Sequence, residues 1–184
     1  MGKDRHALHK NIGKCINNDE LSDYKIIRAR ECGGQQNVPL FCSIEKSNAT
    51  EYCNVDMLMI KDNKVKVIFE IEETDVKPTQ ICGKFLTSAL STYYIHQSKN
   101  NTPIELDESV LFIQILDTSQ LKEGTSKIEQ WENLGKSIKD LLPIGKIGKY
   151  KLFYGNCSDF KNRMDKKCTE LITCIKEALN EINL

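Results

Sequence analysis

The run Val110-Leu-Phe-Ile-Gln-Ile-Leu116 constrains the chain most. It is too short for a buried helix and too apolar for a strand with one wet face. Such a segment belongs in the middle of a sheet covered on both sides. The rest of the chain must therefore supply neighbouring strands and helical layers.

Three β-rich runs precede it, Val38–Ile44, Tyr52–Ile60 and Lys64–Glu72, separated by Ser47-Asn48-Ala49 and Lys61-Asp62-Asn63. They predict a meander of three consecutive strands. Helical periodicity runs from Ala7 to about Arg30, as two short helices or one interrupted at Asn17-Asn18-Asp19. Pro78 opens a second helical stretch through about Gln97, with Ile81, Phe85, Ala89 and Tyr93 on its apolar face. Lys127 to Leu142 and Asp159 to about Ile182 read as further helices around a strand at Tyr150–Tyr154. The predicted order is α-β-β-β-α-β-α-β-α, an α/β fold with a mixed central sheet flanked by helices. With 184 residues, no linker and no repeat, residues 1–184 form one predicted domain.

Composition narrows the function classes. Lys plus Arg equal Asp plus Glu at 26 each, so a nucleic-acid partner must be held by a local patch. No apolar run approaches the roughly 18 residues of a membrane span, and Met1–His6 is polar where a signal peptide turns hydrophobic. A cytoplasmic, intracellular protein is expected, with no membrane partner. None of the eight cysteines forms a C-x-x-C pair, which favours free, mostly buried thiols in a reducing compartment. Cys42 and Cys53 are the pair a hairpin would bring close.

Val55-Asp56-Met57-Leu58 and Phe69-Glu70-Ile71-Glu72 carry acids inside otherwise apolar strands, where an unpaired charge is costly. Alternation sends Glu70 and Glu72 to one face and Phe69 and Ile71 to the other. Antiparallel pairing across Asp62-Asn63 brings Asp56 near Glu70. Asp56 opposes Glu70 only if the loop is odd in length or a strand carries a bulge; a two-residue turn alone would separate them. Oxygen ligands on a rigid hairpin suit Mg²⁺, or Mn²⁺ as substitute, and such a cation suits phosphodiester hydrolysis.

These residues and this element order resemble the PD-(D/E)XK nuclease superfamily, with its restriction-endonuclease-like αβββαβ core. The resemblance covers about residues 20–116, leaving 117–184 as a C-terminal strand and helix extension. It implies that Asp56 and Glu70 bind metal. Val55 stands at the motif proline, and Glu72 stands where most members have lysine. A minority that includes BamHI-like restriction enzymes has Glu there, so Glu72 is implied as base or metal ligand. Glu73 points to the opposite face and ranks below it. Lys77 and Lys84 are candidate migrated catalytic lysines. Glu31 is a candidate upstream metal ligand, with Glu45 its disfavoured competitor.

From Leu142 to Cys168 seven basic residues stand against two acids. Lys146, Lys149, Lys151, Lys161 and Arg163 are the candidate DNA contacts, since phosphate contacts dominate nonspecific affinity. His6 and His9 fall on an N-terminal segment expected to fray, which argues against a histidine-metal nuclease. The implied function is a Mg²⁺-dependent endonuclease on double-stranded DNA, a homodimer of the type II restriction-modification kind. A repair or junction nuclease, and a noncatalytic nucleic-acid-binding domain, are the alternatives.

Overall fold

The computed structural model describes residues 6–16, 19–74, 76–96 and 102–180. They form, in order, α1 (Ala7–Cys15), β1 (Lys25–Arg28), β2 (Pro39–Phe41), β3 (Glu51–Asn54), β4 (Met57–Lys61), β5 (Lys64–Glu72), α2 (Pro78–Ala89), β6 (Tyr93–Ile95), β7 (Pro103–Asp117), α3 (Lys127–Asp140), β8 (Ile147–Gly155) and α4 (Lys166–Asn180).

The strands make one mixed sheet ordered β1-β4-β5-β7-β6-β2-β3. β5, β7 and β8 run parallel and the other pairs are antiparallel. β7 is long enough to be shared: β6 pairs with Pro103–Glu105, while β8 pairs with Val110–Asp117. Val110–Leu116 is thus central and buried, as its composition requires. One face packs Phe85 of α2 and Trp131 and Ile138 of α3 on Leu58, Ile68 and Phe112. The other packs Leu8 and Ile12 of α1 and Leu171 and Ile175 of α4 on Met57, Phe69 and Ile113. Helices therefore flank the sheet on both sides.

Four expectations change. The helical reading to Arg30 stops at Cys15, and Lys25–Arg28 is an edge strand on β4, where Ile26-Ile27 satisfy a β preference. Tyr52–Ile60 is two strands: half-buried, alternating β3 pairs with β2, whereas β4, apolar up to Lys61, pairs with β1 and β5. The three-strand meander is accordingly broken. α2 ends at Ala89, and Tyr93-Tyr94-Ile95 is a strand whose spacing imitates continued helix. The last helix begins at Lys166, after a 3-10 turn at Cys157–Phe160; Gln97 and Ile182 lie outside the described residues.

The cysteines also depart from expectation. Cys15 of α1 and Cys168 of α4 lie at disulfide distance. Cys42 and Cys53 are free thiols. Among the described residues, no helix is long and apolar enough to cross a membrane.

Candidate active site at the end of the central hairpin

β4 and β5 are joined by a two-residue turn, Asp62-Asn63, both at positive φ, a conformation these side chains tolerate. From Lys61↔Lys64 an uninterrupted register would set Asp56 against Phe69. A bulge intervenes: Ile60 pairs with Val65 and Met59 with Val67, leaving Lys66 unpaired. Met57 then faces Phe69, where the paired register ends, and Asp56 lies in the bend just before β4. The Asp56 N–H donates to Phe69 O at 3.1 Å, and Asp56 Oδ2 accepts the Ile71 N–H at 2.7 Å.

Glu70 is 0% exposed and Glu72 is buried beside it on the α2 face. Lys84 meets both. It lies between Ile81 and Ser88 on the buried stripe of α2, so the packing that seats the helix aims its side chain at the sheet. Lys84 Nζ is 2.8 Å from Glu70 Oε2 and 2.8 Å from Glu72 Oε1. Lys77 instead stands exposed at the N-cap of α2, its N–H donating to Gln80 Oε1.

Two further residues complete the cluster. His9 Nε2 is 3.5 Å from Asp56 Oδ1, and His9 Nδ1 is 3.0 Å from Glu73 Oε1. The His9 N–H also donates to Glu73 Oε1, so this carboxylate caps the first turn of α1. Sequence reasoning placed His9 on a fraying end, yet its spacing to Ile12, Gly13 and Ile16 puts it on the buried face. Glu73 leaves β5 on the α1 side, as alternation predicts.

Glu31 sits in a 3-10 turn after β1. Among the described residues, no hydrogen bond or ion pair joins it to Asp56, Glu70 or Glu72. Glu45 lies in the exposed β2–β3 connection.

Electrostatics sharpen the arrangement. Burial, joined by the Asp56 anion, drives Glu70 well above the carboxylate range, although Lys84 opposes this. Burial works to lower Lys84, but Glu70, Glu72 and Asp56 together hold it charged. Burial would raise Asp56, yet His9, Lys84 and the Ile71 N–H keep it low. Burial likewise opposes His9, and Asp56 and Glu73 raise it. Glu70 and Glu72 thus share one ammonium, and Asp56 is held by His9 on the other side. Glu70 Oε1 is buried and makes no hydrogen bond, a spare acceptor of the kind that a divalent cation takes up.

The carboxyl ends of β5 and β7 open onto a cleft of about 550 Å³ lined by His6, His9, Glu72, Glu73, Lys84 and Asp117. Openings at the carboxyl ends of parallel strands are where open α/β sheets bind ligands. The expected basic patch is spread out. Lys146 precedes β8 and pairs with Glu108, and Lys149 donates to Ala178 O. Lys151 is exposed on β8, while Lys161 and Arg163 are exposed in the turn beyond its far end. Nine residues of strand, about 30 Å, separate Lys146 from that end. Lys161 and Arg163 lie at the cleft end of the sheet.

Compared with known families, curated proteins and solved structures, the chain matches none.

Proposed function

We propose that this chain is a Mg²⁺-dependent endonuclease of the restriction-endonuclease-like kind, hydrolysing phosphodiester bonds in double-stranded DNA. The observation that carries the reading is the Lys84 ammonium 2.8 Å from both Glu70 and Glu72, at the end of the hairpin where Asp56 bonds to the Phe69 and Ile71 backbone. The path from this hairpin through α2 and the short strand β6 to parallel β7 is compatible with an αβββαβ core that carries added strands.

Asp56 and Glu70 are the residues that would hold the cation. When bound, it supplies charge neutralisation at the phosphate and acidifies a water. Lys84, within hydrogen-bonding reach of Glu70 and Glu72, would orient the water or a phosphate oxygen. Glu72 is left to accept the proton as water attacks phosphorus and the bond to the leaving oxygen breaks. Lys84 therefore takes the place of the missing motif lysine, approaching from the helix. Lys161 and Arg163 hold backbone phosphate near the cleft. A homodimer would present one such site to each strand.

The test is incubation of supercoiled plasmid and mixed-sequence duplexes with Mg²⁺ or EDTA, beside a Glu70→Gln variant prepared identically. Discrete Mg²⁺-dependent bands absent with the variant support a restriction enzyme. A smear, or cutting of branched DNA alone, moves the reading to a repair or junction nuclease. Binding without cleavage of any substrate replaces it with a noncatalytic nucleic-acid-binding domain.

A further inference from the structure

Lys84 neutralises the carboxylates on the α2 side of the site, but the α1 side carries a different donor set. Among the described residues, His6, His9 and Glu73 offer ligand atoms that all lie within 4.8 Å of one another. Two ligands of a tetrahedral ion at about 2.1 Å stand about 3.4 Å apart, so only a small closure separates this group from a coordination sphere. His9 Nδ1 and Glu73 Oε1 are already 3.0 Å apart.

The orientation of His9 is the second observation. Its Nδ1 is buried without a well-angled hydrogen bond, and its Nε2 faces Asp56 Oδ1 at 3.5 Å. Metal-bound imidazoles usually give their other N–H to a carboxylate, which fixes the ring and strengthens the donor. Asp56 stands in that position. All three residues line the open cleft, so the cation has an entry path and room for water or substrate in a fourth position.

We propose that His6, His9 and Glu73 bind one first-row transition-metal cation at the mouth of the cleft, Zn²⁺ or its substitute Co²⁺, with Asp56 positioning His9. Two imidazole nitrogens and one carboxylate form a borderline donor set that selects such ions over Mg²⁺. Asp56 is shared with the nuclease reading, but the ligands themselves are other residues and the site is assayed without DNA.

The experiment titrates chelator-stripped full chain with Co²⁺, reading visible d–d absorption, and with Zn²⁺ by competition. One Co²⁺ per chain with a four- or five-coordinate spectrum is expected, displaced by Zn²⁺ and indifferent to excess Mg²⁺. His6→Ala and Glu73→Gln should each weaken binding at least about 10-fold, and Asp56→Asn by about 10- to 100-fold. Glu70→Gln should leave it unchanged within about twofold, since Glu70 is absent from the ligand set. Thermal unfolding of each apo variant checks that the fold is intact. Wild-type protein that takes up no stoichiometric Co²⁺ overturns the proposal. So does equal binding by His6→Ala and Glu73→Gln, or loss in Glu70→Gln, which would place the ion among the acids beside Lys84.

Discussion

Lys66 Nζ lies 2.7 Å from Asp107 Oδ2, and this pair joins the two places where the central strands fall out of step. Lys66 is the residue that β4 skips. Asp107 begins the stretch of β7 that β5 skips, between Leu106 opposite Val65 and Leu111 opposite Val67. Each irregularity is thereby pinned by a side chain from the other. The bulge that sets Met57 against Phe69 is a fixed feature of the sheet rather than a slip available to it.

Asp107→Asn should therefore destabilise the protein, and the effect should depend on pH. Both side chains are 19% exposed, so about 1 kcal/mol is expected at pH 7. Burial works to raise Asp107, but Lys66 holds it below the ordinary carboxylate range. A lowered carboxylate contributes stability above its unfolded value near about 3.9 and loses it as pH falls through the lower folded value. Urea unfolding of both proteins between pH 7 and pH 3 should show the difference shrinking on acidification. A constant difference would assign the loss to packing.

Lys84 is the counterion of a carboxylate that has no exposure of its own. Lys84→Met should cost about 2 kcal/mol, less than a fully buried pair, because Lys84 is 37% exposed and Glu70 can take up a proton. Adding Glu70→Gln to Lys84→Met should recover part of that loss, since only Glu72 is then left without its cation. A double-mutant cycle by chemical denaturation measures the coupling. Additive losses would mean that the 2.8 Å contact contributes nothing.

The sequence made some of this site legible and hid the rest for identifiable reasons. Alternation along Phe69-Glu70-Ile71-Glu72 is a local property, so the common face of the two glutamates could be read directly. The Asp62-Asn63 turn was readable too, because both residues tolerate positive φ. The bulge was not, since the run Lys64–Phe69 contains no glycine or proline to mark it, and its partner Asp107 is 41 residues away. His9 meets Glu73 across 64 residues, a contact set by how closely α1 approaches the turn after β1. The strand at Lys25–Arg28 was lost to helical spacing because only its pairing with β4 decides its conformation.

That close approach of α1 rests on Gly13, one turn after His9 on the same helix face. A Cβ at Gly13 would stand 2.2 Å from Cys32 O, whereas a Cβ at Gly83 on α2 would meet nothing within 4 Å. Gly13→Ala must push α1 outward and carry His9 away from Asp56, at a cost of about 1–3 kcal/mol. Gly83→Ala should stabilise by about 0.5–1 kcal/mol through helix propensity alone. Denaturation midpoints of the two variants should move in opposite directions. Equal shifts would mean that α1 is not held by this contact.

Glu72 offers the sharpest test of how the site handles protons. Under the nuclease reading Glu72 accepts a proton while Lys84 stays charged, so Glu72→Gln should slow cleavage about 10²–10⁴-fold with DNA binding retained. Restoring a lysine at this position should not help by itself. Glu72→Lys places a second ammonium against Lys84, now 2.8 Å from Glu72 Oε1, and like charges at that distance repel. The exchanged pair, Glu72→Lys with Lys84→Glu, keeps one cation and one anion across the same gap and should cleave faster than Glu72→Lys alone. Single-turnover rates on a fixed duplex, with binding measured in parallel, separate these outcomes. If Glu72→Lys is as active as the unaltered chain, Glu72 is not the proton acceptor and Lys84 is only its structural partner.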